Sequence, residues 1–151
     1  MGKGHIPAAM QLHATCLARD DEGLLLLGSA GAGKSDLALR LLDHGFLLVA
    51  DDRVDIEAGR ARAPAALAGL LEVRGLGIFR LPFRTDVRLV LAAELGTAAA
   101  RLPEPRRHPA LGLPVIALDP FAPSAPARLA LAFAAATGRA SAVAGALAAL
   151  P

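Results

Sequence analysis

Gly28, Gly33, Lys34 and Ser35 stand in the run GSAGAGKS, residues 28–35, at the spacing G-x-x-x-x-G-K-[ST]. In that pattern successive backbone N–H groups wrap an anionic phosphate at the N-terminus of a helix. Each residue type has a chemical reason. Gly28, Gly31 and Gly33 permit backbone angles and a close approach that a Cβ would block. Lys34 brings a point charge to the outer phosphates, and the Ser35 hydroxyl is a ligand for Mg²⁺. Ser29, Ala30 and Ala32 complete the phosphate-binding loop. Lys and Arg together number 16, yet only Lys3 and Lys34 are lysine. A compact ammonium thus stands where a flexible point charge must meet phosphate oxygens.

Phosphoryl transfer from a nucleotide also needs a carboxylate near the metal and, for a hydroxyl acceptor, a group that takes its proton. The run FLLVADD, residues 46–52, puts Asp51 and Asp52 at the C-terminal end of an apolar strand, where α/β sheets hold ligands. Either aspartate can orient Mg²⁺ through water. Adjacent aspartates also cap ordinary turns, but beside a phosphate loop they read as candidates for general acid/base work. In LEVRGLGIF, Glu72 and Arg74 interrupt an apolar run, and Gly75 and Gly77 let the backbone bend closely around a ligand. Glu72 reads as a metal ligand and Arg74 as a phosphate clamp.

These groups need a strand into the loop and a helix out of it. Leu24 to Leu27 reads as a buried strand, and Leu37, Leu41 and Leu42 share one helical face that runs on to Gly45. A strand over His13–Ala18 precedes them, turning at residues 20–23. After FLLVADD come a hairpin in VDIEAGRARAPA with Gly59 in its turn, a strand in DVRLVLAAEL, a proline-rich loop to Pro114 and a short strand in PVIAL. Residues 129–150 read as two packed helices, with Gly138 as C-cap of the first and Ser141 as N-cap of the second. The prediction is an α/β fold: one P-loop-containing, kinase-like domain over residues 1–151, with a central mixed sheet and flanking helices.

Composition narrows the function. With no Trp or Tyr, aromatic stacking along single-stranded nucleic acid is not expected, and no nucleic-acid partner is predicted. The formal charge of +2 reflects arginine, densest in RLPEPRRHP at 101–109, which reads as a solvated loop. One cysteine, Cys16, without metal-ligand spacing suits a reducing cytoplasm. The N-terminus shows no signal peptide, and Thr137, Gly138 and Arg139 divide the most apolar stretch into pieces too short to span a membrane.

In order and spacing, HATCLA, GSAGAGKS, LVADDRVDI and LLEVRGLGI resemble the catalytic domain of bacterial HPr kinase/phosphorylase. The similarity runs over roughly residues 10–95, with LEVRGLGI downstream of VADD as its most specific part. The chain resembles a short form without the family's N-terminal domain. The resemblance implies an ATP-dependent kinase that phosphorylates a seryl hydroxyl of the phosphocarrier protein HPr or a paralogue. It also implies a phosphorylase that removes the group with inorganic phosphate, releasing pyrophosphate. Residues Gly28 to Ser35 would bind ATP, Ser35 and Glu72 would hold Mg²⁺, and Asp52 would accept the serine proton and return it. His13 and Lys34 would complete the catalytic group, His13 as the partner of Asp52. Where the family has a Pro-Gly-Arg segment with a catalytic arginine, this chain has SAPARLALAF, which makes Arg128 the candidate equivalent. A homo-oligomer, a hexamer by the family's example, is expected. Two other readings stand beside this one. A small-molecule P-loop kinase would use RLPEPRRHP as its lid, and a non-catalytic nucleotide-sensing module would need neither Asp52 nor Glu72.

Overall fold

The computed structural model describes residues 9–96 and 98–148. Strands β1 (Met10–Leu12), β2 (Thr15–Arg19) and β3 (Glu22–Leu27) lead through the glycine loop into helix α1 (Lys34–Leu42). Strands β4 (Leu47–Ala50), β5 (Val54–Glu57) and β6 (Arg60–Arg62) follow, then a 3-10 turn at Ala65–Leu67. A hairpin of β7 (Leu70–Val73) and β8 (Gly77–Arg80) precedes the long β9 (Val87–Leu95), β10 (Val115–Leu118) and helix α2 (Ala125–Ala136).

The main sheet is mixed, in the order β1-β5-β6-β9-β3-β2-β4, with β10 also on β9; β7 and β8 pair apart from it. β9 is long enough to serve two neighbours on one edge. Its start pairs with β6 at Val87 and Arg88, and its end pairs with β10 from Ala92 to Leu95. Both β3 and β10 run parallel to β9, so the loops that follow β3 and β10 open at the same end of the sheet. That is where α/β folds place ligands.

The run of leucines in β3 is apolar throughout because both faces of this strand are covered. Leu24 and Leu26 pack with Leu37 and Leu41 of α1 and Leu129 and Phe133 of α2. Leu25 faces the opposite side, with Cys16, Val49, Val54 and Ala92. Each fully buried leucine contributes about 1.5–3 kcal/mol. In β9 the register against β3 slips by one at Val90, so Val87 and Leu89 serve one core and Leu91, Ala93 and Leu95 the other. Such a slip reverses which face each later side chain meets. Burial pushes the Cys16 thiol up and leaves it a small apolar core group.

Several expectations are revised. β2 begins at Thr15, leaving His13 in the turn before it. Both helices lie on one face of the sheet; on the other, residues of β2, β3, β4 and β9 cluster with Val54, Ile56 and Ala61 of β5 and β6, strands of the same sheet, and with Leu111 and Leu113. α2 ends as predicted: Gly138 takes φ +77, its N–H bonds Ala135 O, and the Arg139 N–H bonds Ala134 O, the Schellman arrangement. No helix follows Ser141 in residues 141–148; residues 149 and 150 of that expected helix lie outside the described residues. Gly145 at φ +98 breaks the helical backbone, Val143 is exposed, and of the large apolar residues there only Leu147 packs against the core. Among the described residues no helix is long and apolar enough to cross a membrane.

Candidate active site

The chain leaves β3 at Gly28, where a Cβ would lie 2.9 Å from the Ala32 Cβ, so close approach of the loop to itself requires glycine. Gly31 and Gly33 require it for another reason, with φ of +81 and +96. Gly33 caps α1 with no side-chain hydrogen bond, leaving the first-turn N–H groups available to an anion. Lys34 is 7% exposed, and its Nζ donates to Gly28 O at 2.7 Å and to Ser29 O at 2.9 Å. Two of three ammonium donors thus tie the loop closed, and the third remains for a phosphate oxygen. The lysine therefore braces the loop as well as carrying its charge.

Strand pairing brings the acids to this loop and parts them. β2 pairs with β4 at Cys16 and Ala50, with a slip at Val49, which sets the buried Thr15 beside Asp51. Asp51 Oδ1 accepts from Ser35 Oγ at 2.7 Å and from Thr15 Oγ1 at 3.0 Å. β1 pairs with β5, Leu12 opposite Val54, and this brings His13 to Asp52, where His13 Nε2 and Asp52 Oδ1 share a hydrogen bond. Between them Asp52 has φ +72, and the Arg53 N–H bonds Asp51 O at 2.8 Å. This is a γ-turn with positive central φ, a strained form of the kind that costs about 1–3 kcal/mol and clusters at functional sites. The turn sends adjacent carboxylates to different partners: Asp51 to the P-loop serine, Asp52 outward to His13.

Beside the loop lies a cleft of about 380 Å³, lined by Lys34 and Ser35, by Glu72 and Arg74 of the β7–β8 hairpin, and by Phe121. Gly75 and Gly77 take φ of +86 and +133, and a Cβ at either would meet nothing within 4 Å. They turn the hairpin, and no protein atom approaches either closely. His13 and Asp52 do not line this cleft; of the neighbouring residues, Asp51 bonds Ser35, which does. Arg128 is not brought to it. Its Nε donates to Ser124 Oγ at 2.8 Å, and it lines a separate groove with Arg101 and Arg106. The expected lid residues thus stand with Arg128, away from the P-loop.

Oxygen donors at Ser35, Asp51 and Glu72 suit Mg²⁺, which takes one or two protein ligands and completes its shell with phosphate oxygens and water. Sequence reasoning missed Thr15 and Phe121. Thr15 gave no signal beyond a polar residue in an otherwise apolar strand, and Phe121 none beyond being aromatic in a chain with five Phe and no Trp or Tyr.

A strand, a phosphate loop braced by its own lysine and an aspartate on the loop serine define a P-loop kinase-like fold. The model of the HPr serine kinase C-terminal domain matches residues 5–83, and the chain belongs to that family. An HPr kinase/phosphorylase of Lactobacillus delbrueckii subsp. bulgaricus is 49% identical over 61 residues, 37% of this chain and 19% of that one. One of Leptothrix cholodnii is 38% identical over 112 residues, 62% of this chain and 34% of that one. The chain therefore spans about a fifth to a third of these relatives. The structure of the Hpr(Ser) kinase/phosphatase from Coxiella burnetii superposes with a TM-score of 0.67 at 27% identity, covering 80% of this chain and 91% of that one.

Proposed function

We propose that this chain is an ATP-dependent kinase that phosphorylates a seryl hydroxyl of HPr or a paralogous phosphocarrier, and the phosphorylase that reverses it. The observation that carries the reading is the division of labour between adjacent carboxylates, Asp51 on the P-loop serine and Asp52 on His13. A nucleotide sensor has no use for the second.

In the forward reaction the serine oxygen attacks the γ-phosphorus, the bond to ADP breaks, and Asp52 takes the serine proton. In the reverse, an oxygen of inorganic phosphate attacks the phosphorus of phosphoserine. A P–O bond to phosphate forms, the bond to serine breaks, pyrophosphate leaves, and Asp52 returns the proton to the serine oxygen. The loop amides and Lys34 hold the phosphates. Ser35, with Glu72 or Asp51, would hold Mg²⁺, whose charge offsets that of the phosphates. His13 fixes the direction of the Asp52 carboxylate. The phosphocarrier would approach over the exposed hairpin residues Leu76 and Ile78, a face equally suited to contact within a homo-oligomer, a cytoplasmic hexamer on this reading.

Incubation with labelled ATP and purified HPr-like carriers, followed by mapping of the modified residue, tests the reading; label on a serine of the carrier is expected, and unlabelled carriers would refute it. Ser35→Ala and Glu72→Gln should each raise the Mg²⁺ concentration for half-maximal activity by roughly 10-fold or more. Wild-type Mg²⁺ dependence in both variants would remove the metal assignment.

A further inference from the structure

One large aromatic side chain in the cleft takes no part in the chemistry above. Phe46 and Phe133 are buried against each other, with ring centroids 5.1 Å apart. Phe121 is 69% exposed and stands at the phosphate loop. Its ring carbons Cε1 and Cζ lie 3.3 Å from the position a Cβ on Gly33 would take. Singly exposed apolar side chains are common on protein surfaces; what sets this ring apart is its place at the mouth of the charged cleft beside the phosphate loop.

The ring is also held in place. It follows β10, whose C-terminal end opens beside the phosphate loop because both β10 and β3 run parallel to β9. Asp119 Oδ1 accepts the Phe121 N–H at 2.9 Å. Arg40, on α1, donates to Pro120 O while its Nε holds Asp36 at 3.2 Å. One polar tie, from Arg40 to Pro120 O, thus joins the residue before this aromatic to the helix that the phosphate loop begins, and the Asp119 bond fixes the turn that carries it. Leu39, one turn along α1 from Ser35, lines the same cleft and adds a second apolar contact.

Resting on the proposed nucleotide binding, the geometry points to Phe121 as the stacking surface for the nucleobase of a bound nucleoside triphosphate. A triphosphate seated on the Gly28–Ser35 amides would leave its nucleoside beyond Ser35, along the α1 face that Leu39 and Phe121 flank. A planar base offers a π-face there whatever its edge carries, so the contact selects for a base without fixing which one. Arg40 is then a positioning residue for the ring.

The test compares ATP with inorganic tripolyphosphate, each with Mg²⁺, by equilibrium binding to the whole chain. Wild type should bind ATP more tightly, and Phe121→Ala should weaken ATP about 5- to 100-fold while leaving tripolyphosphate unchanged. Since the chain has no Trp, Phe121→Trp supplies a single fluorophore, which ATP should quench and tripolyphosphate should not. If Phe121→Ala binds ATP like wild type, or the introduced indole ignores ATP that binds, the stacking assignment falls while nucleotide binding stands. If Phe121→Ala loses both ligands, the loop has been disturbed and the fluorescence result decides. If wild type binds neither ligand, the nucleotide reading fails and takes this assignment with it.

Discussion

Asp52→Asn should depress phosphoserine formation from ATP and pyrophosphate release from the phosphorylated carrier by similar factors, roughly 10²- to 10⁴-fold, the usual worth of a positioned general acid/base. The carboxamide keeps the shape of the side chain and loses its capacity to take and return a proton. The fold should survive, because Asn tolerates positive φ about as well as Asp, and Asp52 sits at φ +72 in its turn. ATP affinity should change little, since on the proposed reading the loop amides and Lys34 hold the phosphates, and Asp52 does not line the cleft. Both reactions must be measured on one preparation. Retention of either near wild type would show that Asp52 is not the shared proton carrier and would turn attention to Asp51 or His13.

Residue types and spacing did not divide the two neighbouring aspartates between partners; only the family resemblance paired His13 with Asp52, as the structure does. Adjacency alone leaves open which acid meets the loop serine; strand pairing settles it. The register of β2 against β4 and of β1 against β5 depends on side chains far apart in the chain, and the slip at Val49 leaves no local mark. The phosphate loop, by contrast, was readable to the residue. Its glycines are fixed by positive φ and close approach of the loop to itself, and the apolar strand before it and amphipathic helix after it are local patterns. The hairpin at Gly59 and the helix stop at Gly138 were legible for the same reason, each fixed by a backbone angle that favours glycine. The second C-terminal helix was misread because an alanine-rich stretch carries helical propensity, while Gly145 at φ +98 interrupts the helical backbone. Arg128 was carried over by likeness of segment, and the packing of α2 instead turns it towards Ser124 and the groove beside the proline-rich loop.

Lys34→Ala should lower phosphoryl transfer by about 10²- to 10³-fold or more, the cost of removing one preorganised donor from developing phosphate charge. A lysine that only reached out to ligand would be removable without structural cost. Here the ammonium is buried and bonded to Gly28 O and Ser29 O, so its loss also releases the tie between the end of β3 and the phosphate loop. Bonds from a charged donor contribute about 1.5–3 kcal/mol, less where water can replace them as it can at a half-buried loop. A fall of about 1–2 kcal/mol in unfolding free energy is therefore expected, read as a lower denaturant midpoint with unchanged slope. Lys34→Arg separates the two effects. It keeps the charge and can still bond one carbonyl, yet its planar fork cannot place a point charge among three tetrahedral oxygens. Stability should largely return while activity stays low. A Lys34→Ala protein with wild-type phosphorylation would overturn the phosphate role, and one with a wild-type midpoint would overturn the bracing role, so the two functions assigned to this side chain fail independently.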